Sequence, residues 1–323
     1  MYQSVLPLSQ RSQYNPGENV DFKLSHEGSD LVQGSVKIFG KLKVSVLGAR
    51  VGAVDIKYDG MAGVSNFINS ISTMMNGKIL ETVQGYSRWI KMRNEATKHQ
   101  EQLFGQASNS VELCCAQDDQ SISVIQGQSA TDWSVPFCFR PDVCLNNSVS
   151  SLPFKETGDI VLSLRLADVN QALYGVGVDA NVSYSLYDLE LGYLVAPETS
   201  SKPVLHVKQM IQQRITSANQ QLSMKVPLPN DRVAMTFLQS DRANTALYNN
   251  QDTQMPPGVE SVEWSFNDNT SAILANKLET EEEILYNYLN SIGWSGHTSL
   301  TQRKLENNTG YGMGLKYEQY FSG

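Results

Sequence analysis

Charge is scarce in this chain of 323 residues: only 18% are Asp, Glu, Lys or Arg, against roughly one quarter in ordinary soluble domains. The formal net charge is -8 with a pI near 5.1, so no basic surface is on offer to coat nucleic acid, and direct nucleic-acid binding is not expected. Long apolar runs are also missing: none approaches the roughly 20 residues that cross a bilayer as a helix. Met1-Tyr2-Gln3-Ser4 has neither the basic start nor the apolar core of a secretory signal, so synthesis inside a cell without such a signal is expected. The sequons at Asn146, Asn181, Asn269 and Asn307 would then stay unmodified.

Metal-binding spacings are absent too. The four histidines, His26, His99, His206 and His297, fall in no H-x-H or H-E-x-x-H pattern, which removes the ligand sets of cupins and zincins. Cysteines are few: Cys114, Cys115, Cys138 and Cys144. An adjacent pair and one C-x5-C are not zinc spacings, and a vicinal pair makes a poor structural disulfide. All four read as free thiols of a reducing compartment. The sequence places no histidine beside Cys114 or Cys138, so neither thiol has an evident base. The expectation is a protein that is not an enzyme, with no catalytic, cofactor-binding or metal residues and no cofactor.

What is present is alternation of apolar and polar residues. Val20, Phe22 and Leu24 alternate with polar neighbours, as do Leu42, Val44 and Val46. Trp133, Val135, Phe137 and Phe139 repeat the pattern, with Pro136 marking an edge strand. Ile160 to Leu166, Leu189 to Tyr193, and Val262, Trp264 and Phe266 continue it. One apolar face per strand demands a second sheet to cover it, which predicts antiparallel sheets packed face to face. Asn76-Gly77 between β-compatible residues predicts a type I′ hairpin.

Two helices interrupt the strands. Tyr86, Trp89, Ile90 and Arg93 have helical spacing in a segment from Tyr86 to Leu103, with Gly105 as C-cap. Thr280-Glu281-Glu282-Glu283 is a capping box ahead of Ile284, Leu285, Tyr288, Leu289 and Ile292, and Gly293 ends that helix. A β-rich unit carrying one helix therefore occurs twice, a weak internal repeat.

Residues 1–16 lack a period and hold two prolines, so they read as an N-terminal arm. Two further prolines, Pro197 and Pro203, mark a linker at 197–203. The expected domains are 17–196 and a shorter one at 204–323.

Other features have a plainer reading than a binding site. Asp118-Asp119 sits in a polar loop, and Glu281-Glu282-Glu283 is explained by capping and the helix dipole. Gly310-Tyr311-Gly312-Met313-Gly314 lacks the Lys and hydroxyl residue of a phosphate loop and reads as a flexible strand entry. Tyr86 with Trp89, and Trp264 with Phe266, lie on periodic faces and read as core rather than as stacking platforms.

An ordered series of segments resembles one family. Leu6-Pro7-Leu8-Ser9 and Tyr14-Asn15-Pro16-Gly17-Glu18-Asn19-Val20-Asp21-Phe22 look like the opening of the major capsid proteins of polinton-like viruses and virophages. Gly77 to Tyr86 is similar to that family's segment before its first helix, and Gly158 to Asp168 to a strand late in its first jelly roll. The family usually adds further strands after Gly312 to Gly323, so the second jelly roll is short here or incomplete.

The resemblance implies an all-β double jelly roll with short inserted helices: an arm at 1–16, jelly rolls at 17–196 and 204–323, and a linker at 197–203. It implies a homotrimer of pseudo-hexagonal outline that tiles an icosahedral shell in the virion. Its partners would be neighbouring capsomers, penton and minor capsid proteins, with the arm free to reach a neighbour or a membrane under the shell. The alternative is a glycan- or receptor-binding jelly roll of a vertex, penton or spike, which would need Trp133, Trp264 or Trp294 exposed.

Overall fold

The computed structural model describes residues 1–48, 55–97, 112–114, 119–122, 130–147, 150–199, 205–207, 209–210, 232–236, 245–253, 260–263, 279–292 and 312–316. The strands in chain order are β1 Tyr2–Val5, β2 Gln13–Tyr14, β3 Asn19–Leu24, β4 Ser29–Val32, β5 Lys37–Leu47, β6 Ile56–Asp59, β7 Ile68–Met75 and β8 Lys78–Gln84. They continue as β9 Asp119–Ile122, β10 Ala130–Phe139, β11 Ser151–Pro153, β12 Ile160–Leu166, β13 Val182–Pro197, β14 Gln209–Met210, β15 Arg232–Met235 and β16 Met313–Lys316. The helices are α1 Tyr86–Thr97, α2 Phe154–Thr157, α3 Val169–Ala172 and α4 Glu281–Ser291. The architecture is all-β, with antiparallel sheets and few helices.

The chain divides into two compact units: Met1–Ile90 with Leu103–Gln212 and Asn244–Gln251, and Lys91–Gln102 with Gln213–Ala243 and Asp252–Gly323. The division differs from the expected single cut near Pro197. Residues 245–251, deep in the second half of the chain, fold with the first unit.

The first unit is a sandwich whose strand order identifies it. One sheet runs from β1 and β2, both paired with β13, through β13 to β5 and then β10. The other runs β3, β12, β7, β8. All these pairings are antiparallel. With β1 and β2 taken together as the first strand, the eight in chain order lie as 1-8-3-6 and 2-7-4-5, the nested Greek keys of a jelly roll. Pro136 falls in β10, which ends its sheet, where a missing amide breaks no ladder.

This order corrects the reading of residues 1–16 as a free arm. They are extended, but they are the first strand: Tyr2 to Val5 pair with Leu194 to Leu191, and Gln13 and Tyr14 with Tyr187 and Leu186. Tyr14 is fully buried, and its hydroxyl bonds Ser9 Oγ at 2.6 Å. The expected linker is also partly structured. β13 runs through Pro197, and Thr199 donates its backbone N–H (2.9 Å) and hydroxyl (2.6 Å) to the buried Asp30. Residues 200–204 lie outside the described set.

Alternation decides what fills the sandwich. Val20, Phe22, Leu24, Ile71, Val83, Ile160, Leu162 and Leu164 point inward from one sheet, and Ile38, Leu42, Val44, Leu186 and Leu191 from the other, all at 2% exposure or less. Asp188 interrupts the period of β13. It sits at φ 52° where the register shifts between Tyr187 and Glu190, so Leu189 still turns inward. β4 and β11 pair at the end of β13. β6 and β9 form a separate ribbon, so Asp119 begins a strand rather than lying in a loop. β14 adds to β8 in parallel.

The Asn76-Gly77 turn forms as expected, with φ of 50° and 70°. A Cβ at Gly77 meets nothing within 4 Å, so Gly77→Ala carries a backbone cost alone. It should lower stability by about 1 kcal/mol in urea unfolding.

Two buried phenols make stability fall in alkali. Tyr184 donates its hydroxyl to the carbonyls of Ala167 and Phe67, and burial, followed by the negative field of Asp168, pushes it well above its ordinary range. In the second unit, Tyr288 is raised by burial first and by Glu95 next. Both folded values lie above the unfolded value near 10, so this contribution is complete below about pH 10 and is lost as pH climbs beyond it. The urea midpoint should fall between about pH 9 and about pH 11, less steeply in Tyr184→Phe.

In the second unit the described elements are the C-terminal half of α1, β15 paired with β16, and α4. Thr280 accepts the Glu283 N–H and the Glu283 carboxylate accepts the Thr280 N–H, the capping box the sequence predicts. Tyr288, Leu289 and Ile292 pack with Met92. The first helix is described through Thr97; its expected end at Leu103, with the Gly105 and Gly293 stops, lies outside the described residues.

Candidate functional site

The surface of the first unit consists of two outer sheet faces and a rim of loops. On the outer face of β3, β12, β7 and β8, cross-strand rows run Asn19–Arg165–Ser70–Gln84 and Asp21–Ser163–Ser72–Thr82. Ser163 Oγ donates to the Asp21 carboxylate. Lys23, on the next row, pairs at 2.7 Å with Asp159. Hydroxyls and amides thus dominate a wall with little net charge.

The outer face of the opposite sheet carries rows Pro136–Lys41–Tyr187 and Cys138–Phe39–Glu190. Lys41 reaches Asp188 at 2.9 Å and lies 5.5 Å above the Tyr187 ring. Its ammonium is held above its ordinary value by the Asp188 hydrogen bond, then by that carboxylate's charge. The Cys138 thiol is pushed up, mainly by burial, so it is a poor nucleophile.

The rim holds an apolar knob on a rigid base. Leu247 is 73% exposed, Tyr248 45% and Val176 62%, and the Gly175 N–H bonds the Ala246 carbonyl at 2.7 Å. The following residues are buried and tied down. Asn249 donates to Asp59 at 2.7 Å, Asn250 receives Arg88 at 2.9 Å, and Gln251 receives Ser87 at 2.7 Å. Asn250 and Gln251 also donate to the carbonyls of Asn170 and Gln171. Arg88 is held below its ordinary value by burial. An exposed apolar loop on such a network is ordered before any partner arrives.

The residues weighed for chemistry do not converge. His26 is half-exposed with Nδ1 at 3.2 Å from the Glu27 carbonyl, and His206 is exposed; His99 and His297 lie outside the described residues. Cys114, Cys138 and Cys144 are free thiols, and Cys115 is outside. No group of three or more His, Cys, Asp and Glu capable of holding a metal occurs among the described residues. Two buried acids serve the backbone: Glu81 accepts the Cys144 N–H and Asp59 the Ala62 N–H. Tyr86 and Trp89 both anchor Asp142, the phenol accepting its N–H at 2.8 Å and the indole donating to its carboxylate at 2.6 Å. Trp133 is half-buried, 6.3 Å from the Tyr58 ring, and offers no open platform; Trp264 and Trp294 are outside the described residues.

Sequence reasoning missed the 245–251 segment. Asn249-Asn250-Gln251 has the composition of an exposed loop, and only the tertiary fold reveals it as buried.

No family model and no curated protein matches the chain. Solved structures do. The Faustovirus major capsid protein gives a TM-score of 0.40 at 7% identity, over 61% of this chain and 54% of that one. The mavirus major capsid protein gives 0.35 at 12%, over 62% and 47%. The Sputnik virophage structure gives 0.35 at 10%, over 74% and 53%. All three come from viruses. The chain spans about half the length of each, and the jelly roll of the first unit is assigned from strand order, independently of these overlaps.

Proposed function

We propose that the chain is a major capsid protein whose subunits form homotrimers of pseudo-hexagonal outline, each contributing two upright jelly rolls, and that these blocks tile an icosahedral shell. The observation that carries this reading is the 1-8-3-6 and 2-7-4-5 strand order of the first unit, joined to the helix-bearing repeat in the sequence. That the second unit, which takes most of 204–323, is a second jelly roll belongs to the proposal. The polar, weakly charged walls suit it: rows such as Asp21–Ser163–Ser72–Thr82 can meet several neighbours in slightly different ways without strong like-charge repulsion.

Neighbouring capsomers, penton and minor capsid proteins would be the partners, and the virion the location. Because residues 1–16 are held in the sandwich, a membrane beneath the shell would have to be met by another part of the surface. Native mass spectrometry tests the reading: the expected species has three times the 35.8 kDa of one chain. A stable monomer at micromolar concentration would overturn it. Electron cryomicroscopy of the same sample should show paired barrels in a three-fold block.

A further inference from the structure

Lys91 is 1% exposed, the one lysine among the described buried residues, and its Nζ lies 2.5 Å from Oδ1 of Asp252, which is 24% exposed. Burying an ammonium–carboxylate pair is costly, because both ions give up water. Condensation needs the neutral pair, a free amine against a carboxylic acid, and a proton passed along the Nζ–Oδ1 contact supplies it. A nitrogen this close to one carboxyl oxygen is within contact reach of the carbon that bears it, the geometry from which addition proceeds.

A third group shares the helix face of Lys91. Glu95 is 2% exposed and lies four residues beyond Lys91 in α1, hence on the same helix face. Its charge is felt by the buried Tyr288, which packs with Met92, Leu289 and Ile292. The Lys91–Asp252 pair and the Glu95 carboxylate are thus carried by one face of α1, with Glu95 within electrostatic reach of Tyr288.

We propose that Lys91 and Asp252 condense into an intramolecular isopeptide bond, with Glu95 relaying the proton. The Lys91 ammonium first passes a proton to the Asp252 carboxylate. The amine lone pair then adds to Cγ, forming the N–C bond. Glu95 takes the surplus proton from nitrogen and delivers it to the departing hydroxyl. The C–O bond breaks, one water leaves and Glu95 returns to its starting state. No oxidant, reductant or metal is required. The bond would join residues 161 apart in sequence, in a chain whose described cysteines are free.

The test is the intact mass of the purified full chain under denaturing conditions. The wild-type protein should be one water lighter than its sequence mass, and digestion should yield a branched peptide joining Lys91 to Asp252. Lys91→Arg and Asp252→Ala should each restore the full mass. Glu95→Gln, which keeps both reacting groups, should accumulate the uncrosslinked form. A folded wild-type chain of full mass overturns the proposal, as does a water loss that persists in Lys91→Arg. Wild-type crosslinking in Glu95→Gln removes the relay.

Discussion

Deleting residues 1–16 should unfold the first sandwich rather than trim a loose end. The segment supplies the first of the eight strands, and β13 loses a neighbour along Leu186–Tyr187 and Leu191–Leu194 without it. Tyr14, at 1% exposure, leaves the core, and so does the buried Pro7. The Leu8 N–H that bonds the Asp21 carbonyl at 2.8 Å, on the edge strand of the other sheet, is lost as well. One large buried side chain is worth about 2–3 kcal/mol in transfer alone, and each broken ladder bond adds about 1 kcal/mol. Together these approach the roughly 5–15 kcal/mol that holds an ordinary domain folded. The expected result is loss of the cooperative urea transition and of the strand signal in circular dichroism. Tyr14→Ala is the milder version, with an expected loss of about 3–5 kcal/mol. A deletion variant with an unchanged midpoint would mean that the segment is an arm after all.

That strand was the part of the sandwich hardest to read from sequence, for a physical reason. It is built from two pieces, four residues and two, split by a turn in which Gln10 adopts φ 47°. Neither piece is long enough for period two to show. The longer strands were legible because burial on one face imposes their pattern: Val20-Phe22-Leu24 and Ile160 to Leu166 have it in full, and in both the apolar face fills the core. β13 was legible only in part, since the irregularity at Asp188 shifts its phase. Local chemistry was also legible. The Asn76-Gly77 turn and the Thr280 capping box are written in adjacent residues, and both form. The rim segment was not, because what buries Asn249 and Gln251 is Asp59 and Ser87, each more than 160 residues away. Asp252 beside Lys91 escaped for the same reason.

Gly314→Val should cost the second unit about 3 kcal/mol or more, the upper range of overpacking. A Cβ on Gly314 would lie 1.9 Å from Ser291 Oγ, 2.5 Å from its Cβ and 3.1 Å from the Tyr288 Cα, which is helix backbone. The Ser291 hydroxyl could rotate away only by giving up its 2.6 Å bond to the Tyr288 carbonyl. The Tyr288 Cα cannot move without α4, whose other contacts include Met92. At Gly312 a Cβ would fall 2.3 Å from the Tyr288 ring. The glycines at 312 and 314 are therefore spaced so that β16 lies directly on α4, and close packing accounts for them without a phosphate to bind. Because strand side chains alternate, residues two apart meet the same helix. Gly314→Ala alone should cost about 1–3 kcal/mol. Pairing it with Ser291→Gly should recover part of that loss, a coupling of about 1 kcal/mol in a double-mutant cycle. Additive losses would mean that the strand does not rest on Ser291. Thermal unfolding of the four proteins, followed by circular dichroism, decides between the two.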